Sequence, residues 1–411
     1  MAQHERPKLD EESVTMPSIT RHVRAIREHY EPLPPQHGNT LLTDANVMII
    51  LLAAFFEPQA RSLRCIEQLA EVQRVREHLT VEDVPRSTLS DAMARFHVPN
   101  LYPLVKTLQD KLPHLGRVDP ELHQIAGQII AGDGSTFRMA GEVVWAIQRH
   151  TKNKDGTSQL IDSQCRLDLQ VDIRRWTLED FRISGTDDGG EAAVMGRMLK
   201  SNVLYLFDRG YYPFDFLTAV LEQKSDFVVR FKKDLVFRAQ SSATLCEKDI
   251  ESTVLSDQLG WVGVENGCKG KAPEQLLRMV TVWDEKNQEE VRLVTSRLDL
   301  PAWVIGYLYR CRWIIELFLR WLKVTAGWSH LLSTTANGIE LQFYVAMICT
   351  LLIHIRTGLP VSKYSLYALS IVGRGEGTYE DQLPIILKRE RERMLEKARL
   401  ARKKALKIKP A

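Results

Sequence analysis

The stretch PAWVIGYLYRCRWIIELFLRWLKVTAG, residues 301–327, constrains the chain most, because its spacing predicts one long helix. Within it Tyr309, Arg312, Glu316 and Lys323 follow at intervals of three, four and seven residues. At about 100° per residue all four fall within an arc of roughly 60°, and Arg320 joins the same face. Leu308, Ile314, Ile315, Phe318, Leu319, Trp321 and Leu322 take up the remaining circumference. The predicted helix is therefore apolar on most sides with one narrow stripe of ionisable groups, where a solvated face would be wider. Charges on a mostly buried helix are costly unless they meet metal, phosphate or one another. The plain alternative is an internal ion pair between Arg312 and Glu316, which stabilises a helix by only ~0.2–0.5 kcal/mol.

Two further acidic residues stand out. Asp133 is expected to end the β-branched run IIAG, and Asp208 to end the short buried strand VLYLF. Taken singly, each fits a turn, since Asp-Gly is a frequent turn pair and Asp208-Arg209-Gly210 could join a strand to a helix. Taken with Glu316 they make a carboxylate set of the kind that two-metal phosphodiester chemistry needs. Hard cations prefer oxygen ligands, and a pair about 3.5–4 Å apart must be bridged and neutralised. Asp162, Asp168 and Asp172 lie nearby and read as exposed strand residues. The eleven histidines show no ligand spacing.

The pattern Y-x-x-R-x-x-x-E with K seven residues on, preceded by D-G-S-T at Asp133 and D-R-G-Y-Y at Asp208, resembles the signature of DDE transposases of the insertion-sequence IS-four type. The resemblance spans roughly residues 125–327, with a helical continuation to about residue 356. Ser135 stands where Thr often follows the Gly, and Thr136 comes next. The resemblance implies that Asp133, Asp208 and Glu316 are the catalytic, metal-binding carboxylates, and that Tyr309, Arg312 and Lys323, with Arg320 beside them, hold DNA. It implies two Mg²⁺ ions, with Mn²⁺ able to substitute. It also implies a homodimer that binds terminal inverted repeats in a synaptic complex, cleaves the strands by way of a DNA hairpin or otherwise, and inserts the element into target DNA. A hairpin requires a flipped base, and an aromatic ring stacked on that base would recover ~1–3 kcal/mol. Trp283, at the end of LLRMVTVW, is the candidate, against the alternative that it packs within its own small core. From other classes, a decayed copy that binds DNA without cutting it, or a nuclease that never joins strands, would share much of this pattern.

The expected fold is α/β, an RNase H-like catalytic domain interrupted by a β-rich insertion, with helical N-terminal and C-terminal parts. Residues 1–38 read as a flexible arm and 39–118 as a helical DNA-binding domain, in which PRSTLSDAMARF starts a helix with Thr88 as N-cap. The catalytic domain is expected over 122–330, with its insertion at about 234–291. A helical region over 331–384 and a basic tail over 385–411 complete the chain. From residue 388 on there are eleven Lys or Arg against three Glu, a local net charge of +8 in a chain of +3. Such an uneven balance suits a polyanion partner. The six cysteines are scattered without a C-x-x-C pair, which argues against both a zinc knuckle and a disulfide framework and for a reducing compartment. Apolar runs at 47–56 and 341–355 fall short of the ~20 residues of a membrane span. The expected location is the cytoplasm, at the nucleoid, with no membrane partner.

Overall fold

A computed structural model describes residues 24, 26–31, 33, 40–57, 59–112, 122, 125–152, 157–263, 272–325, 327, 330–374 and 376–407. The arm expected over 1–38 lies largely outside the described residues, as do Cys268 and the last four residues of the tail. The chain divides into two compact units, residues 1–113 with 321–411, and residues 114–320.

In the first unit helices α1 (Asp44–Phe55), α2 (Leu63–Ala70), α3 (Gln73–Arg76), α4 (Arg86–Arg95) and α5 (Tyr102–Asp110) precede a break in sequence filled by the second unit. Helix α4 buries Leu89, Ala92 and Met93, but it starts two residues before Thr88, with Pro85 as N-cap. Proline brings no capping side chain, and the Glu67 carboxylate of α2 accepts the Arg86 N–H at 2.8 Å instead. The long apolar segment after the charged stripe forms a helix over Ala336–Thr357 that packs on α1, α4 and α5. Its length and composition would let it cross a membrane, but 83% of its most apolar window is buried within the protein. It is a core helix. The basic end of the chain continues as a helix, Tyr379–Lys407.

The second unit is built on one mixed sheet. Its strands are β1 (Gln128–Met139), β2 (Ile147–Lys152), β3 (Ser158–Asp172), β4 (Thr177–Ser184), β5 (Val203–Phe207), β6 (Asp226–Phe231), β7 (Phe237–Ser242), β8 (Val254–Val262), β9 (Leu277–Asp284) and β10 (Glu289–Thr295). The spatial order is β2-β3-β1-β5-β6-β10-β9-β8-β7, with β4 also paired to β3. Only β1–β5 and β5–β6 are parallel. Three antiparallel strands followed by two parallel ones, with helices on the faces, give the α/β, RNase H-like architecture expected. The four strands β7 to β10 extend the same sheet, because β10 pairs with β6.

All five residues of β5 are buried. Alternation sends Tyr205 and Phe207 to one face, where they join Ile130, Phe227, Val229 and residues of the helices Glu191–Gly196 and Phe214–Glu222 in one core cluster. Segments of the charged-stripe helix pack against β1, β3, β5, β6 and the inserted strands.

Two expectations are corrected here. Strand β1 does not end at Asp133. It runs six residues further, with Asp133 opposite Leu169 and Gly134 opposite Asp168, because β3 is long enough to pair with Ser135, Thr136 and Phe137. The Asp-Gly turn is thereby ruled out. Asp168 and Asp172 are not exposed: both are buried. Asp168 accepts from Arg166 at 2.8 Å and from the Ser184 hydroxyl, and Asp172 accepts the N–H groups of Arg174 and Arg175. Burial is tolerated because each carboxylate is hydrogen-bonded.

Candidate active site

The parallel pairing of β1 and β5 brings the first two acidic residues together. Ala131 lies opposite Leu206, so Asp133 and Asp208 each stand two residues past a matched pair on adjacent strands, which run about 4.8 Å apart. Asp208 leaves the strand as N-cap of a short 3₁₀ turn and accepts the Arg209 N–H at 2.7 Å. Asp133 Oδ1 accepts the Gly134 N–H at 2.9 Å.

The third contribution comes from the stripe, which is not one helix. It is α-helical over Ala302–Cys311 and Trp313–Arg320 and π-helical over Trp321–Thr325, with Arg312 at the junction of the two α segments. The break costs regularity and places Arg312 beside the strand ends. Its Nη2 lies 2.7 Å from Glu316 Oε1 and 4.0 Å from Asp208 Oδ2, and its Nη1 lies 3.8 Å from Asp133 Oδ2. One guanidinium thus stands among all three carboxylates. The simple Arg312–Glu316 ion pair is present, but as part of this larger cluster. The Tyr309 hydroxyl donates to Asp208 Oδ1 at 2.9 Å.

The electrostatics are uneven. Burial first, then the charges of Glu191 and Asp208, push Asp133 up to about 6, although Arg312 and the Gly134 N–H pull the other way. Burial also raises Asp208, but Arg312, the Arg209 N–H, Tyr309 and Arg230 outweigh it and hold this carboxyl below its ordinary value. Burial and the Asp208 charge push the Tyr309 phenol up to about 12, so it remains a proton donor. Arg312 is itself buried, and its Nε and Nη1 have no hydrogen-bond partner. Among the described residues no three His, Cys, Asp or Glu side chains are already gathered as a metal site; here the guanidinium takes the middle of the acidic group.

The remaining stripe residues are placed differently. Arg320 ends the second α segment with an exposed side chain, and Lys323 falls in the π-helical turn, which belongs to the other unit. A π turn breaks the 100° step on which the single arc rested. Trp283 is half-buried at the end of β9, where its backbone is tied to Thr253.

Arg230 and Trp313 escaped the sequence reading. Arg230 on β6 bonds Glu289 at 2.8 Å and bears on Asp208 and Tyr309. Only its place on the strand beside β5 could have pointed to it. Trp313 immediately follows Arg312, is 43% exposed, and has the Lys286 ammonium of the β9–β10 turn 5.1 Å from its ring centre. A tryptophan one residue from the stripe was the available signal.

A family model described as the transposase DDE domain matches residues 125–352. The chain is 30% identical over 189 residues to a Sinorhizobium fredii protein named "Putative transposase y4zB", covering 44% of this chain and 52% of that protein. It is 25% identical over 178 residues to a Geobacillus stearothermophilus protein named "Probable transposase for insertion sequence element IS5377", covering 43% of this chain and 45% of that one. The chain spans about half the length of the curated relatives it matches.

Proposed function

The chain belongs to the transposase DDE domain family, and from that premise we propose that it is a cut-and-paste transposase of the IS-four type, which binds the terminal inverted repeats of its element, cleaves them and joins them to target DNA. The observation that carries the reading is the single guanidinium of Arg312 within 4.0 Å of Asp133, Asp208 and Glu316, three carboxylates drawn from distant parts of the chain.

DDE transposase domains use divalent metal ions. The donor set here fits such ions, because three carboxylates converge on one cationic group, and oxygen is the ligand that hard cations prefer. Asp133, Asp208 and Glu316 would hold them, as Mg²⁺ or Mn²⁺. When bound, the ions would supply Lewis-acid activation of the attacking hydroxyl and stabilisation of the leaving oxygen.

The chain's own cations would position the strand. Arg312 Nε and Nη1 make no hydrogen bond among the described residues, and the guanidinium could fork two donors onto a phosphate that enters beside the carboxylates. Tyr309 would offer its hydroxyl beside Asp208, with Arg230 adding positive charge. Arg320 and Lys323 would contact the backbone further along, and Trp283 would stack on a flipped base if the ends pass through a hairpin. The helical first unit, with its basic terminal helix, would bind DNA in a salt-dependent way, and two copies would pair the ends.

The test supplies duplexes carrying the element's inverted-repeat ends. With Mg²⁺ the protein is expected to nick at the repeat boundary and then join the freed 3′ end to a target plasmid. Chelation with EDTA should stop both while leaving end binding. Equal cleavage of unrelated duplexes, or cleavage that persists in EDTA, would defeat the proposal.

A further inference from the structure

A fourth carboxylate stands at the same place, on a residue outside the D-D-E set. Glu191 opens the short helix Glu191–Gly196, and its two oxygens face the two acidic motifs. A Cβ built on Gly134, the residue after Asp133, would lie 3.0 Å from Glu191 Oε1, and one on Gly210, two residues after Asp208, would lie 3.5 Å from Oε2. A side chain at position 134 would crowd the carboxylate, and one at position 210 would just touch it. No hydrogen bond or ion pair holds it among the described residues, yet it is half-buried and bears on Asp133 as a like charge. The one cation that bears on it, Arg166, is already bound to Asp168, and a further cation would offset the burial of these like charges.

A second observation points to a missing ligand. The Tyr211 side chain is 1% exposed, and its hydroxyl has no hydrogen-bond partner among the described residues. The charges acting on that hydroxyl are those of Glu191, Asp133 and Asp168, with Arg166 opposing them. A buried hydroxyl is rarely left unpaired. A water held between it and Glu191 would satisfy both groups.

The charge balance agrees. Asp133, Asp208 and Glu316 share the one guanidinium of Arg312, whereas the cation that bears on Glu191 is Arg166, already bound to Asp168. Two divalent cations would suit four carboxylates better than three.

We propose that Glu191 is a positioning carboxylate of the cation site, which holds the hydration shell of a divalent ion against Asp133 with the help of the Tyr211 hydroxyl. This rests on the function proposed above. The bland alternative is an acidic residue that favours a helix N-terminus. That role would leave metal binding untouched.

The test titrates Mn²⁺ into the full-length protein and reads free Mn²⁺ by electron paramagnetic resonance, with thermal melting alongside. Glu191→Gln should weaken Mn²⁺ binding about tenfold or more and shrink the Mn²⁺-induced rise in Tm. Without metal its Tm should equal or exceed that of the wild type, since one half-buried charge is gone. Tyr211→Phe should weaken binding less, and Glu191→Asp should recover part of it. Wild-type Mn²⁺ affinity in Glu191→Gln overturns the inference. If that variant does not fold, Glu191→Asp decides: affinity equal to wild type overturns it, because a carboxylate withdrawn by one methylene cannot serve a shell equally well. Asp133→Ala separates the two levels. Unchanged Mn²⁺ binding there defeats the three-carboxylate reading itself, whereas a loss there with none in Glu191→Gln defeats only the role of Glu191.

Discussion

Two arginine–carboxylate clusters lie in the same sheet unit, and they are equally buried on the arginine side. Arg166 and Arg312 each expose 8% of the side chain. Arg166 is satisfied: it makes two bonds to Asp168 at 2.8 and 3.0 Å and a third to the Gly189 carbonyl at 3.0 Å, and the Ser184 hydroxyl completes the carboxylate. Arg312 makes one good bond, to Glu316, and two long contacts, to carboxylates that remain 24% and 36% exposed. Two of its nitrogens have no hydrogen-bond partner among the described residues. A saturated ion pair fixes a fold, while an unsaturated one of similar burial keeps binding capacity in reserve. The contrast supports a structural role for the first cluster and a chemical role for the second.

The contrast breaks most visibly under truncation. Asp168→Ala should destabilise by about 3–5 kcal/mol, because it strands a buried guanidinium. Arg312→Gln should cost less, since the three carboxylates it leaves are 24%, 36% and 30% exposed. Chemical denaturation compares them, and equal losses would erase the distinction.

The next effect concerns pH. The Asp133 carboxyl is raised to about 6, above its ordinary 3.8, by burial first and then by its acidic neighbours. A raised carboxyl favours the fold when protonated, so its contribution is intact below pH 4 and is lost as pH rises through 6. Without divalent cations, Asp133→Asn should therefore be more stable than wild type at pH 8, by at most about 3 kcal/mol. The gap should close below pH 4. Melting curves at both pH values check it, and a variant less stable at pH 8 would reverse the sign.

The smallest effect sharpens the comparison between two rings. Trp283 is half-buried and Trp313 exposed. If Trp283 stacks on a flipped base, Trp283→Ala should leave first-strand nicking intact while hairpin formation falls about tenfold, in keeping with ~1–3 kcal/mol per stacked base. A 2-aminopurine reporter at the flipped position would follow the event. Normal hairpin rates in that variant with a loss in Trp313→Ala would assign the stacking to Trp313.

Much of the second unit was legible because its signals are local. VLYLF, the helix from Phe214 and DFVVRF carry their own periodicity, and the structure has elements at those places. Asp133 beside Asp208 was implied by the motifs, but the cause is the β1–β5 register, a pairing between residues some seventy positions apart that no local pattern encodes. The same limit hid Arg230 and the burial of Asp168, each decided by a neighbouring strand. The break at Arg312 was hidden for another reason: regular periodicity assumes a regular helix, and the junction at Arg312 and the π turn depart from it. Glu191 escaped because its place beside Gly134 and Gly210 is set by tertiary packing.

The central claim is that Asp133, Asp208 and Glu316 act as one unit on DNA. Single-turnover cleavage of an end-bearing duplex with Mg²⁺ tests it most directly, when run on Asp133→Ala, Asp208→Ala and Glu316→Ala with end binding measured in parallel by mobility shift. Each variant should bind the ends about as well as wild type and lose cleavage by a factor on the order of 10³ or more, the scale expected when residues work together. Near-normal Mg²⁺-dependent cleavage in any one of the three would contradict the account.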